Sequence, residues 1–380
     1  MTEAPRQYVF LGLTITSTWG NGHATTYRAL LKELSARGHS VTFLERDMPW
    51  YAENRELREL PYCKVELYAS LEELQDCYSR LLSCADAVVV GSYVPEGAAV
   101  GRWAKSIARR VLAFYDIDTP VTLTGLREQR CEYLTPELVP EYDLYLSFTG
   151  GPTLEFIERR LGSPCARPLY CSVDPAVYFP EKQAQAWDLA YLGTYAEDRQ
   201  PALEKLMVGV AERNPSRKFV VAGPQYPAGI TWPENVERIE HLRSKDHRLF
   251  YNSQAFALNL TRQDMIRAGY SPSVRLFEAA ACGVPILTDE WPGLDQFFRA
   301  GAEILVVRSE LDVSSCLSMN HLRRQKIAEG GRRRTLRCHT ASVRAAQFDS
   351  YIAASLSSKI GSNSWARSVV KAAAPALLEN

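Results

Sequence analysis

Short, nearly continuous apolar runs alternate with helical periodicity along almost the whole chain. Tyr8–Ile15, Val41–Glu45, Lys64–Tyr68, Ala87–Ser92, Val111–Asp116 and Asp143–Phe148 predict six strands. Apolar runs without polar alternation are what a parallel sheet requires when helices cover both its faces. Between the first two runs, Tyr27, Leu30, Leu31 and Leu34 recur at helical spacing, and Gly38 supplies a stop. The pattern restarts after Ser172–Pro180, with strands expected at Asp188–Gly193, Lys218–Gly223, Val236–Glu240, Ala255–Leu260, Val284–Thr288 and Glu303–Val307. Each half therefore reads as a doubly wound α/β layer. Pro168, Pro175 and Pro180 bracket the junction and predict a stiff hinge near residues 172–181. The boundaries that follow are 1–175 for the first domain and 176–340 for the second.

Length and composition narrow the class. A chain of 380 residues is too long for one ordinary core, so two domains are expected. Its 44 basic and 44 acidic residues cancel, which argues against a nucleic-acid partner. No run of 18 apolar residues occurs, so no transmembrane segment is expected. The opening MTEAPRQYVF enters a strand-like run directly, unlike a signal peptide. Nine cysteines, an odd number with no CxxC pair, read as reduced thiols, and a cytoplasmic location fits them.

Two tandem sheets leave a cleft between the carboxyl edges of their strands, where ligands of open α/β sheets bind. One loop on such an edge is Tyr270–Leu294, YSPSVRLFEAAACGVPILTDEWPGL. Ser271 is expected to cap a helix, with Pro272 at its first position and Gly283 at its end. A helix N-terminus offers free N–H groups and partial positive charge to an anion. Arg275 adds charge-assisted hydrogen bonds to phosphate. Glu278, one turn on from Val274, can accept from both hydroxyls of a ribose.

The run S-x-R-L-F-E-A-A-A-C-G-V-P-I-L-T-D resembles the nucleotide-sugar signature of GT-B glycosyltransferases. Within them it is most similar to the group related to the spore maturation protein CgeB, and more loosely to the large retaining family with E-A-x-A-C-G-x-P. SVDPAVYFP (Ser172–Pro180) resembles the interdomain linker of these enzymes, and LGTYAEDR (Leu192–Arg199) the start of their second domain. RRRTLRCHTASVRA (Arg332–Ala345) is similar to the group's C-terminal helix, which implies a helix at 341–357 packing back on the first domain; residues 358–380, rich in Ser and Ala without a strong signal, read as a flexible tail. The resemblance spans roughly residues 8–350. It implies two tandem Rossmann-like doubly wound domains facing across a cleft, no cofactor, and a nucleoside diphosphate sugar as donor, UDP- or dTDP-linked. By the same resemblance Glu278 holds the donor ribose, with Ser273, Val274 and Arg275 near the diphosphate. Thr194 and Arg199 also face the donor, and Gly223, Pro224, Gln225 and Tyr226 lie near the base. The larger retaining family usually carries a second glutamate eight positions before the ribose-binding one; Tyr270 stands there in this chain.

GNGHATTYRALLKELSARGHSVTF (Gly20–Phe43) is similar to the GH-x-x-P stretch that opens many inverting GT-B enzymes, whose histidine deprotonates the acceptor hydroxyl. Gly20 and Gly22 let the backbone bend sharply toward a ligand. His23 is then placed at the cleft rim, and an ordinary pKa of about 6.5 suits a general base. Helix capping, phosphate contact or a purely structural place are its other readings. A base of this kind is normally oriented by a carboxylate. Asp116, ending Val111–Asp116, is the first candidate and Asp118 the second. His39, following Gly38 at a helix end, reads as structural.

Asp116-Ile117-Asp118 spells the DxD of another glycosyltransferase fold, but two tandem doubly wound halves favour a rim role over metal ligation. Gly20-x-Gly22 lacks the third glycine of a dinucleotide fingerprint, since Thr25 stands there. Arg332–Arg337 reads as a solvated helix face. Trp19, Trp50, Tyr93 and Asp118 are candidates for acceptor contact, while Trp50, Trp291 and Tyr93 read equally as core. Sugar transfer to a small-molecule or glycan hydroxyl, without a metal, is the expectation; inversion and retention both stand. A nucleotide-sugar epimerase and a non-catalytic nucleotide-sugar binder are the rivals.

Overall fold

The computed structural model describes residues 4–18, 22–57 and 59–372, with side chains described as far as residue 359. Among the described residues thirteen strands form two sheets, every strand pairing parallel. The first sheet comprises β1 (Gln7–Gly12), β2 (Ser40–Arg46), β3 (Lys64–Tyr68), β4 (Ala87–Gly91), β5 (Val111–Asp116), β6 (Leu144–Ser147) and β7 (Ala166–Pro168). Its order is β3-β2-β1-β4-β5-β6-β7. The second comprises β8 (Trp187–Leu192), β9 (Phe219–Ala222), β10 (Val236–Ile239), β11 (Gln254–Asn259), β12 (Ile286–Thr288) and β13 (Leu305–Val306), in the order β10-β9-β8-β11-β12-β13. The expected two doubly wound layers are thus both present.

Strand order reverses between β1 and β4 in the first sheet and between β8 and β11 in the second. At such a switch point neighbouring loops diverge to opposite faces and leave a crevice. The central strands are buried throughout, as their unbroken apolar runs require. β7 was not legible in the pattern: three residues containing an arginine and a proline carry no strand signal.

The chain crosses between domains twice. Val173 N–H donates to the His339 carbonyl at 3.1 Å, and Ala341 N–H to the Val173 carbonyl at 2.9 Å, so the two crossings run side by side. Arg344, buried, donates to the Tyr170 and Cys338 carbonyls at 3.1 Å each and ties both crossings together. A C-terminal helix, Ala341–Ala372, lies against the helix His23–Ala36, with Ala345, Phe348 and Ile352 in the first domain's core. It runs fifteen residues past 357, through sequence with no apolar period. Asp349 on this helix is wholly buried. It accepts from Tyr8 Oη at 2.9 Å, His39 Nε2 at 3.0 Å and Arg37 Nε. Arg6 N–H donates to His39 Nδ1 at 3.1 Å, which fixes the proton on Nε2 facing Asp349.

Arg332–Arg337 was expected to be a solvated face, and two of its members do more. Arg332 Nε donates to the Ala281 carbonyl at 3.2 Å, and Arg334 to the Phe297 and Gln296 carbonyls at 2.9 and 2.6 Å. These carbonyls end short helices, where orphan acceptors favour cationic partners.

Candidate active site

On the first domain the site starts with the exit of β1. Gly91, ending β4, leaves no side chain where the Tyr27 hydroxyl lies, and Gly12, ending β1, leaves none where the Phe43 ring packs beside Tyr27; a Cβ at either would collide. Tyr27 is one turn after His23, so its seating fixes the start of the helix at the switch point. His23 is the first residue of that helix, with Gly22 as cap. Its ring meets Tyr93 edge-on, centroids 5.2 Å apart. Burial lowers the His23 pKa to about 4, so the imidazole is neutral at pH 7 but less basic than sequence reasoning expected.

Tyr93 adopts a left-handed φ of 63°, unusual for a non-glycine, directly after β4. Its hydroxyl donates to Asp118 Oδ2 at 3.0 Å. Asp118 faces Arg262 and Asp264 of the second domain, and burial raises its pKa. Asp116 lies deeper, wholly buried. Its carboxylate accepts from Tyr145 Oη at 2.6 Å, Thr122 Oγ1 at 2.7 Å and the Asp118 N–H at 3.3 Å. Burial raises its pKa to about 6. Of the two aspartates, Asp118 is the one linked to the histidine's neighbour.

On the second domain Arg199 follows β8 and Arg275 lies in the first turn of the helix Val274–Ala281. Arg199 is buried. It donates through Nη2 to the Thr194 carbonyl at 2.6 Å, and its Nε has no partner. Arg275 donates to the Leu192 carbonyl at 2.8 Å and to Ser273 Oγ at 3.2 Å. Among the described residues neither guanidinium pairs with a carboxylate. Burial, then the charge of Arg275, lower the pKa of Arg199, and Arg262 adds to the effect. Two unneutralised guanidinium groups thus meet a helix N-terminus at the second switch point.

The helix cap differs from expectation. Ser273, extended at φ −80°, is the cap, and Ser271 and Pro272 lie before the helix. Ser271 Oγ instead accepts from Thr149 Oγ1 at 3.1 Å across the cleft, and the Pro272 carbonyl accepts from Cys171 Sγ at 3.3 Å. A local propensity has yielded to an interdomain contact.

Glu278, buried one turn into this helix, accepts from Tyr251 Oη at 3.1 Å and is also bonded by Tyr178 of the linker. Gly223, at φ 139°, lets its loop approach the Gly193 carbonyl so closely that a Cβ would collide with it. Tyr226 Oη donates to that same carbonyl at 3.2 Å, and Pro224 accepts from Tyr195 N–H at 3.0 Å. Pro224 is partly buried, while Gln225 and Thr194 are exposed. Tyr195, Tyr226 and Trp232 form a connected aromatic edge, and the Arg238 guanidinium lies over Tyr226 at 4.2 Å and over Trp232 at 5.0 Å.

Trp50 is 47% exposed on the first domain, whereas Trp291 is core, packed on Phe297. Trp19 and Gly20 lie outside the described residues. Sequence reasoning missed Tyr93's link to Asp118, the tyrosines on Glu278, and Arg238. The last stands in a strand as the middle of VERIE, between Glu237 and Ile239, where nothing local marks it.

No curated protein matches the chain by sequence. A family model described as glycosyl transferase-like matches residues 199–350. Among solved structures, HepE of Anabaena, in complex with UDP and glucose, is similar with a TM-score of 0.68 at 13% identity, covering 92% of this chain and 100% of that one. Sucrose-phosphate synthase from Thermosynechococcus elongatus gives 0.66 at 13%, covering 91% and 98%. An alpha-glucosyltransferase in complex with UDP and a 13-mer DNA gives 0.65 at 12%, covering 92% and 100%. The family match covers residues 199–350 only, and the likeness to these structures over nearly the whole chain shows a two-domain GT-B fold.

Proposed function

We propose that this protein transfers a sugar from a UDP- or dTDP-linked donor to an acceptor hydroxyl in the interdomain cleft. The observation that carries this reading is the pair of buried Arg199 and half-buried Arg275, neighbours without a carboxylate partner at a helix N-terminus. Holding two like charges there is unfavourable unless an anion completes the site. A diphosphate answers that need, and the charge that grows on it as the glycosidic bond breaks is met by the same groups. No metal is required for that role. Glu278, held by Tyr251 and Tyr178, faces the ribose; the edge of Tyr195, Tyr226 and Trp232 stacks the base. UDP in complex with HepE supports uridine as the base.

His23, neutral at pH 7, accepts the acceptor proton if the reaction inverts. If it retains, the leaving phosphate takes that proton and His23 contacts the sugar. Tyr93 and Asp118 orient the ring's surroundings, and Trp50 offers an exposed aromatic face to the acceptor. Nine free cysteines fit a reducing, cytoplasmic setting. Among the described residues no helix is long and apolar enough to cross a membrane. The test is release of nucleoside diphosphate from UDP-glucose, UDP-N-acetylglucosamine and dTDP-glucose with a panel of hydroxyl acceptors. Acceptor-dependent release supports transfer. Sugar interconversion without acceptor supports an epimerase, and binding without any turnover a silent binder.

A further inference from the structure

Glu45, next to last in β2, is wholly buried and forms no ion pair among the described residues. One oxygen, Oε2, accepts the N–H groups of Ile15 at 2.6 Å and Thr16 at 3.0 Å. The other, Oε1, accepts the hydroxyls of Thr14 at 3.0 Å and Thr16 at 2.6 Å. All four donors belong to the three residues that lead the chain away from β1.

Removing a carboxylate from water costs steeply, and an apolar side chain here would serve the core better. What the carboxylate supplies is geometry, since two consecutive N–H groups converging on one oxygen define the backbone turn. Ile15 carries that geometry further. Its carbonyl accepts from Arg28 Nε at 2.8 Å, and Arg28 lies in the helix that begins at His23. Its side chain is buried in the core that also holds Tyr27. Arg55 Nε donates to Thr16 Oγ1 at 3.2 Å and closes the other side.

We infer that Glu45 is a positioning residue that sets where His23 stands over the cleft, acting through Ile15 and Arg28. The inference rests on the reading of His23 as the group that meets the acceptor.

The test compares Glu45→Ala, Glu45→Gln and His23→Ala in steady-state transfer, UDP binding and the pH profile of kcat/KM. Glu45→Ala is expected to lower kcat at least tenfold with UDP affinity held within twofold. Its acid limb should rise toward the ordinary histidine value as the ring loosens. Glu45→Gln is expected to recover most of kcat, since one amide oxygen can take both N–H groups while its NH₂ donates to the threonines. If Glu45→Ala does not fold, Thr14→Val and Thr16→Val remove single hydroxyl donors and should give graded losses in kcat alone. A folded Glu45→Ala with unchanged kcat and pH profile, or a Glu45→Gln as poor as alanine, overturns the inference. If His23→Ala is also silent, the reading of His23 has failed; if it is inactive while Glu45→Ala is not, only the positioning role has failed.

Discussion

The ring of Tyr270 occupies the space that a side chain on Gly151 would need. The two residues belong to opposite domains, and a Cβ on Gly293, from the second domain, would meet the other edge of the same ring. Gly150 N–H donates to the Tyr270 carbonyl at 3.0 Å, and Tyr270 N–H to the Pro292 carbonyl at 2.6 Å. Tyr270 itself stands at a left-handed φ of 49°. The domains therefore meet through a tyrosine wedged between two glycines.

Gly151→Ala should disturb that seam. Gly151 has φ 58° and ψ −142°, a conformation that glycine alone adopts readily. Strain of about 1–3 kcal/mol, plus overlap with Tyr270, predicts a loss of about tenfold or more in turnover. UDP affinity should stay within about twofold, because the groups proposed to hold the nucleotide lie on the second domain. Steady-state kinetics beside calorimetric UDP titration separates the two effects.

The acid limb of kcat/KM identifies which buried group must be in its basic form. If His23 is the base, burial places that limb near its pKa of about 4 rather than the ordinary 6.5. If ionised Asp116 controls the rate instead, burial places the limb near 6. For His23, the folded pKa is depressed. Its contribution to stability is therefore complete above about 6.5 and is lost as pH falls toward 4.

Glu278→Ala should weaken UDP binding by about 1–3 kcal/mol, the scale of hydrogen bonds to a charged group. Tyr251→Phe removes a donor that holds this carboxylate and should give a smaller loss, with the fold intact. Titration of UDP into each variant reads both.

Asp349→Ala should act on stability alone. The substitution strands Tyr8 and the Nε2–H of His39 in the core and costs about 3 kcal/mol, seen as a lower urea midpoint. UDP affinity in the folded variant should match the unaltered protein.

The sheets were legible because their strands are buried on both faces. Lys64–Tyr68 and Val111–Asp116 agree at both ends with the structure. Short β7 was not, since Ala166–Pro168 gains its place only by pairing with β6. Local signals failed where partners come from afar. Ser271 has the chemistry of a cap yet is bonded from Thr149 in the other domain. Nothing near Asp116 in sequence shows that Tyr145 takes one of its oxygens. The same holds for Glu278, whose tyrosines come from the linker and from the helix His247–Asn252. Arg199 and Arg275 were legible separately, but their proximity was visible only once β8 and the Val274 helix were folded together.

The most direct test of the account is calorimetric titration of UDP and of uridine into the unaltered protein, Arg199→Ala and Arg275→Ala. The account predicts that each substitution weakens UDP by about 1.5–3 kcal/mol, the range for hydrogen bonds to charged groups, and leaves uridine almost unaffected. Equal UDP affinity in all three proteins would contradict it, because the diphosphate would then lie away from the two arginines.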